Sequence, residues 1–186
     1  MKLGLVVMAS GFSRRFGSNK LLHEIDGAPM IERVLDAIPD GYHAVVVTRF
    51  PEVMRIARRR GLEAIENALP HKSDTIRLGV ERLRDYPGIC FMVADQPRIK
   101  PDTLKRLRLA FSRDASSIVR AGNGGIPGNP VIFPASLYAE LSSLAPDESG
   151  SAVIRRHENL VRIVQADMAE LSDVDSLVDI SPGSPN

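Results

Sequence analysis

The feature that most constrains the fold of this chain is an alternation of short apolar runs with segments of helical period. Leu3 to Met8, His43 to Thr48, Leu62 to Ile65 and Ile89 to Ala94 are short and apolar, and they read as buried strands. Between them, Met30 to Ile38, Pro51 to Arg60 and Asp74 to Arg84 read as helices; in the last of these, Ile76, Val80 and Leu83 share one side. Pro101 to Phe111 continues the pattern with Leu104, Leu107 and Phe111. Strands alternating with helices in this way predict a mostly parallel sheet covered on both faces, a single-domain α/β sandwich of three layers. Further on, Ser117 to Arg120 and Pro130 to Phe133 bracket a Gly/Pro-rich stretch that predicts a turn or hairpin. Helices over 136–144 and 149–157 and a strand over 160–164 follow. The chain of 186 residues suits one buried domain over 1–180, with 181–186 reading as a disordered tail.

Composition removes several classes of function. The chain is 44% hydrophobic and 25% charged, and no apolar run approaches the roughly 20 residues of a membrane span. Lys2 does precede an apolar stretch, but that stretch is short and runs into Ser13-Arg14-Arg15, so it reads as a first strand rather than a signal peptide. A cytoplasmic protein without a membrane partner is the expectation. The single cysteine, Cys90, excludes an intramolecular disulfide and sits in an apolar run as a small core residue. A net charge of +1 with 5% aromatics argues against nucleic acid as a partner. The dense basic run Arg58-Arg59-Arg60 ends a helical segment, where cations are favourable without any further role.

In a parallel sheet of this kind, ligands bind outside the carboxyl ends of the strands. Two loops at such ends are chemically complementary. The first, Ala9 to Lys20, has glycines that let backbone N–H groups approach a ligand, and Arg14, Arg15 and Lys20 lie within seven residues of one another. That combination suits a polyphosphate. The spacing matches neither G-x-x-x-x-G-K-[ST] nor G-x-G-x-x-G, so a P-loop is excluded and nicotinamide binding disfavoured. The plainer alternative is a basic surface loop. The second loop, Ala94-Asp95-Gln96-Pro97, places an acid directly after a fully apolar strand. A lone carboxylate among phosphate oxygens suits Mg²⁺, which takes one or two carboxylates with phosphates and water. The alternative is a cap for the helix near Pro101, for which the spacing is loose.

Val7-Met8-Ala9-Ser10-Gly11-Phe12-Ser13-Arg14-Arg15-Phe16-Gly17-Ser18-Asn19-Lys20-Leu21-Leu22 resembles the L-A-A-G-x-S-x-R-F-G-x-x-K-L-L signature of the MobA-like NTP transferases. Ser73-Asp74-Thr75-Ile76-Arg77-Leu78-Gly79-Val80 resembles that family's S-x-S-L-R-x-G-L segment, and Asp95-Gln96-Pro97 its D-Q-P. Gly128-Asn129-Pro130-Val131-Ile132-Phe133 is similar to G-H-P-V-x-F, and Asp173-Val174-Asp175 to D-I-D. Five motifs in order make the match specific, and the subgroup it most resembles is the molybdenum cofactor cytidylyltransferases. The resemblance implies a Rossmann-like fold of the GT-A type and Mg²⁺-dependent transfer of a nucleoside monophosphate from an NTP, CTP before GTP. The acceptor it implies is a phosphorylated small molecule, molybdopterin first, and the protein partner a molybdoenzyme or its chaperone. It also implies roles. Gly11, Arg15 and Lys20 would hold the triphosphate, Ala9 and Ser10 would line the base pocket, and Thr75 with Ser73 would face the base or ribose. Asp95 would bind the metal, with Asp175 the candidate second carboxylate, while Gly128, Asn129 and Pro130 would line the acceptor channel. Arg15, Lys20 and Asp95 would be the catalytic set.

The chain departs from the pattern at defined places. Ser10 stands where Ala or Gly is usual, Asp74 interrupts a serine-rich stretch, and Asn129 replaces a His. Glu148-Ser149-Gly150-Ser151-Ala152 lacks the Arg of a family D-x-G-A-R loop. Guanylyl transfer, a sugar-1-phosphate acceptor and a nucleotide-binding regulator without turnover are the competing readings. Gln96 leans toward cytidylyl transfer, since guanylyl relatives more often carry D-M-P. None of the four histidines requires a catalytic role, though His71 is placed to touch a nucleotide.

Overall fold

The computed structural model of the chain describes residues 1–11, 19–146 and 148–174. Arg15, Asp175 and the 181–186 tail lie outside the described residues. Among the described residues the main sheet has seven strands: β1 (Leu3–Ala9), β4 (Tyr42–Thr48), β5 (Glu63–Glu66), β6 (Gly88–Val93), β7 (Ile118–Asn123), β8 (Ile126–Pro134) and β9 (Val161–Gln165). Their order across the sheet is β5-β4-β1-β6-β8-β7-β9. A separate two-stranded hairpin joins β2 (Glu24–Ile25) to β3 (Ala28–Pro29). Asp26 and Gly27 turn that hairpin with φ of 48° and 80°, the left-handed pair that tight hairpins favour.

All strands of the main sheet run parallel except β8, which pairs antiparallel with both β6 and β7. The mostly parallel expectation therefore stands, and the exception has a local cause. β7 and β8 are joined by Gly124-Gly125 with φ of 53° and 87°, so the chain reverses on itself at once. The hairpin strands extend further into the Gly/Pro-rich stretch than hydropathy alone indicates.

Helices cover both faces. α1 (Met30–Asp36), α2 (Pro51–Arg59) and α4 (Pro101–Arg113) pack one cluster against Leu3, Leu5 and Val7. α3 (Lys72–Leu83), α5 (Tyr138–Ser142) and α6 (Gly150–Arg156) pack the other against Val6, Phe91 and Phe133. The alternation along β1 follows from strand geometry, which sends successive side chains to opposite faces. Pro51 and Pro101 each open a helix, where a missing N–H costs nothing. α3 lies so close to β1 that a Cβ on Gly79 would meet Val6 Cγ2 at 2.5 Å. A short α7 (Met168–Leu171) follows β9 and has no counterpart in the sequence reading. Among the described residues no helix is long and apolar enough to cross a membrane.

Candidate functional site

From β1 the chain moves to β4 and β5 on one side, then returns to place β6 on the other side of β1. The reversal leaves a crevice between the loops after β1 and β6, where parallel sheets bind their ligands. Gly11 and Asp95 lie on either side of it.

The loop after β1 is held by its neighbours. Thr48 Oγ1 donates to the Ala9 carbonyl at 2.9 Å, and Ser10 Oγ donates to the Val47 carbonyl at 3.1 Å. Arg49 Nε donates to the Ser10 carbonyl at 2.9 Å, and another nitrogen of the same guanidinium donates to the Leu69 carbonyl at 2.5 Å. Arg49 thus fixes the loops after β1 and β5 relative to each other. The buried Asn67 continues the scaffold: Nδ2 donates to Thr75 Oγ1 at 2.9 Å, while Oδ1 accepts the Leu69 N–H at 3.0 Å. Thr75 Oγ1 accepts from Asn67 and retains its own proton as a donor.

Lys20 meets Asp95 across the crevice. Its Nζ lies 2.9 Å from Asp95 Oδ2 and donates also to the Val174 carbonyl at 3.0 Å. The Val174 N–H donates to the Asp95 carbonyl at 2.9 Å, so the C-terminal segment closes one end of the site. Gln96 Nε2 fastens the same segment, donating to the Leu171 carbonyl at 2.8 Å and to Asp173 Oδ1 at 2.9 Å. Gln96 is buried and does not line the part of the cleft that holds Ser10, Gly11 and Thr75. Asp95 is no helix cap either: Lys100 precedes α4, and its N–H donates to Glu170 Oε2 at 3.0 Å.

Ser10, Gly11, His71, Lys72, Thr75 and Asp95 line this first half of the cleft. Past Met8, Lys72 and Val93, which line both parts, a second half runs toward Arg120, Asn129 and the start of α6. Of the sequence candidates, Ser10, Gly11, Lys20, Thr75, Asp95 and Asn129 therefore come together along one edge. Ala9 and Ser73 are buried and do not line either half. Gly128 and Pro130 flank Asn129; the Gly128 carbonyl accepts from Arg120 and Pro130 is buried. Asp74 has a structural explanation, since Oδ2 accepts the His71 N–H at 3.2 Å and closes the first turn of α3.

Asp95 is the one side chain of the first half of the cleft, among the described residues, with a carboxylate to offer a divalent cation. Among the described residues no three acidic, His or Cys side chains gather. Asp95 uses one carboxylate oxygen on Lys20, and a phosphate-bound Mg²⁺ needs only one or two carboxylates.

Asn67, Arg49, Lys72 and Arg120 escape a motif-based reading. For Arg120 a signal exists. Ile118, Arg120 and Gly122 alternate onto one strand face, so the charge falls on the face that Ile118 buries.

The MobA-like NTP transferase domain model matches residues 5–160. The chain is 38% identical over 128 residues to a "Probable molybdenum cofactor guanylyltransferase" of Pyrococcus horikoshii, covering 67% of this chain and 65% of that protein. It is 32% identical over 108 residues to a 3-deoxy-manno-octulosonate cytidylyltransferase of Nitratiruptor, covering 56% and 45%. The chain spans about half the length of the curated relatives it matches, 45% and 57% in two cases. Among solved structures, a nucleotidyl transferase from Methanothermobacter superposes with TM-score 0.78 at 21% identity, covering 96% of this chain and 94% of that one. A Mycobacterium tuberculosis structure in complex with manganese gives 0.73 at 22%, covering 96% of each chain. At these identities the structural likeness establishes the nucleotidyltransferase-like α/β fold.

Proposed function

The chain belongs to the MobA-like NTP transferase family, and from that premise we propose that it transfers a nucleoside monophosphate from an NTP to a phosphorylated acceptor. CTP is the favoured donor and molybdopterin the favoured acceptor. The observation that carries this reading is the meeting of Lys20 and Asp95 across the crevice between the β1 and β6 loops, beside a cleft whose two halves share Met8, Lys72 and Val93.

In the proposed step an acceptor phosphate oxygen forms a bond to the α-phosphorus. The bond from that phosphorus to the bridging oxygen of the β-phosphate breaks, and its electron pair leaves with pyrophosphate. The acceptor brings an ionised oxygen, so no nucleophilic side chain is needed. Cys90 is fully buried and its thiol pushed up by that burial, which leaves it inert. Lys20 would stabilise charge on the phosphates as a point charge, and Arg15 would do so as a planar fork. Thr75, fixed by Asn67, would orient the nucleoside. A divalent cation held by Asp95 would supply charge neutralisation and Lewis acidity. The protein's contribution is therefore alignment and preorganised charge.

GTP is the competing donor, and the relatives named as guanylyltransferases favour it. A thermal-shift panel of CTP, GTP, ATP and UTP with Mg²⁺ tests the reading. A nucleotide at 100 times its Kd adds about 2.7 kcal/mol to stability, which raises Tm by roughly 5–10 °C for a domain of this size. The preferred base should give that shift, and pyrophosphate should appear when molybdopterin is added. No shift with any of the four would end the proposal.

A further inference from the structure

Glu170 is a carboxylate almost without solvent, its side chain 3% exposed. It belongs to α7 and faces the first turn of α4. Oε2 accepts the Lys100 N–H at 3.0 Å and the Thr103 hydroxyl at 2.7 Å, while Oε1 lies 3.5 Å from Lys100 Nζ. Arg106 in turn donates to Thr103 Oγ1 at 3.0 Å. The carboxylate thus stands at the start of α4, where N–H groups without helical partners and the helix dipole favour negative charge. Burying a carboxylate is costly unless partners satisfy it. Satisfied in this way, Glu170 fixes α7 on α4. The neighbouring Lys100–Asp167 pair is exposed on both sides and adds little.

The residues that follow Glu170 reach the two charged groups of the site. The Leu171 carbonyl and Asp173 Oδ1 accept from Gln96. The Val174 N–H donates to the Asp95 carbonyl at 2.9 Å, and the Val174 carbonyl accepts from Lys20 Nζ at 3.0 Å. β9, from which this segment comes, stands three places from β6 in the sheet order, so strand pairing does not bring it to Asp95. Packing of the buried Val174 and the side-chain bonds of Gln96 and Glu170 do. Ser10 and Thr75 are held separately, from the β4 and β5 side, by Arg49 and Asn67.

We propose that Glu170 is a positioning residue for the transfer. By docking α7 on α4 it keeps the Val174 carbonyl on Lys20 and the Val174 N–H on Asp95, and so aims both charged groups without touching a ligand. The inference rests on the transferase reading above. With the segment released, Lys20 loses an acceptor that sets its direction, and Asp95 loses the donor that fixes its backbone. A displacement of roughly 1 Å in a reacting arrangement can cost about 10²-fold in rate.

The test compares wild type with Glu170→Leu, a side chain of similar size that accepts no hydrogen bond, each as the full chain. Both are treated with acetic anhydride and the rate at each lysine is read by mass spectrometry. Lys20, 14% exposed in wild type, should react roughly tenfold faster in the variant, the effect of losing one charged hydrogen bond on a local opening equilibrium. The exposed Lys105 should keep its rate, which with a cooperative thermal transition shows that the fold is intact. With Mg²⁺, molybdopterin and the NTP that gives the thermal shift, kcat should fall by about 10- to 100-fold while the KM for the NTP stays within about threefold of wild type. A role in stability alone would lower Tm and leave the Lys20 rate and kcat unchanged, which would overturn the inference by itself. A faster Lys20 with unchanged kcat would do the same. Should Glu170→Leu not fold, Thr103→Val decides in its place, since it removes the hydroxyl donor at nearly constant volume: a faster Lys20 supports the assignment and an unchanged rate removes it. Acetylation needs no acceptor, so where wild type binds an NTP but does not turn over molybdopterin, the Lys20 rate decides. Wild-type protein that responds to no NTP overturns the transferase reading and this inference with it.

Discussion

An Asp95→Asn substitution keeps the shape of the side chain while removing the charge that faces Lys20 at 2.9 Å. Two unit charges at that distance attract by roughly 6 kcal/mol at an effective dielectric of about 20. The two side chains are 14% and 27% exposed, so lost hydration offsets most of that attraction. The net loss should be about 1–3 kcal/mol, the range for a charge-assisted hydrogen bond whose partner stays behind. Urea unfolding of Asp95→Asn, Lys20→Met and the double variant closes a thermodynamic cycle, and the expected coupling is about 1–2 kcal/mol. Turnover has a separate magnitude. Each single variant should lose on the order of 10²–10³ in pyrophosphate release, the effect of removing one preorganised electrostatic contact. Additive stability changes would show that the pair is energetically idle. Near-wild-type turnover in both folded single variants would refute the assignment of the site.

Gly79→Ala should destabilise the fold by about 1–3 kcal/mol in urea unfolding, since overpacking must move α3 off β1, where Val6 Cγ2 would lie 2.5 Å from the new Cβ. Gln96→Met should leave the order of NTP preference in the thermal-shift panel unchanged while lowering kcat, because Gln96 holds Leu171 and Asp173 and does not line the nucleotide half; a switch from CTP to GTP would contradict this. Glu140 pairs with Arg156 at 2.8 Å and His157 at 2.7 Å, and these partners hold its carboxyl below the usual range. A depressed carboxyl stabilises above its unfolded pKa and loses that contribution as the folded form protonates. Glu140→Gln should therefore cost at most about 1 kcal/mol at pH 7, with the gap to wild type closing below about pH 4 in parallel denaturation series.

Much of the fold was legible because its signals are local. The apolar runs at Leu3 to Met8 and Ile89 to Ala94 became the adjacent central strands β1 and β6, and Pro51 and Pro101 opened helices where they stand. The reversed β8 was less legible: hydropathy marks a strand but not its direction, and the Gly124-Gly125 turn decides that. Within the site, Lys20, Thr75 and Asp95 were legible as motif positions. Asp74 and Gln96 also stood out, one as a departure from a serine-rich segment and the other as a subgroup marker. Their contacts needed the structure: Asp74 closes a helix turn, and Gln96 secures the C-terminal segment.

The sequence by itself determined the layered α/β architecture, the family, and the two loops that face each other, because strand period, helix period and motif spacing are written in neighbouring residues. Only the tertiary structure decided which side chains act together. Lys20 meets Asp95 from 75 residues away, and Arg49 ties Ser10 to Leu69. Arg120 shares a cross-strand row with Val45, Val6, Phe91 and Val131, neighbours that only the sheet register assigns. A charge has meaning through its counter-charges and its solvent, and the packed sheet assigns both.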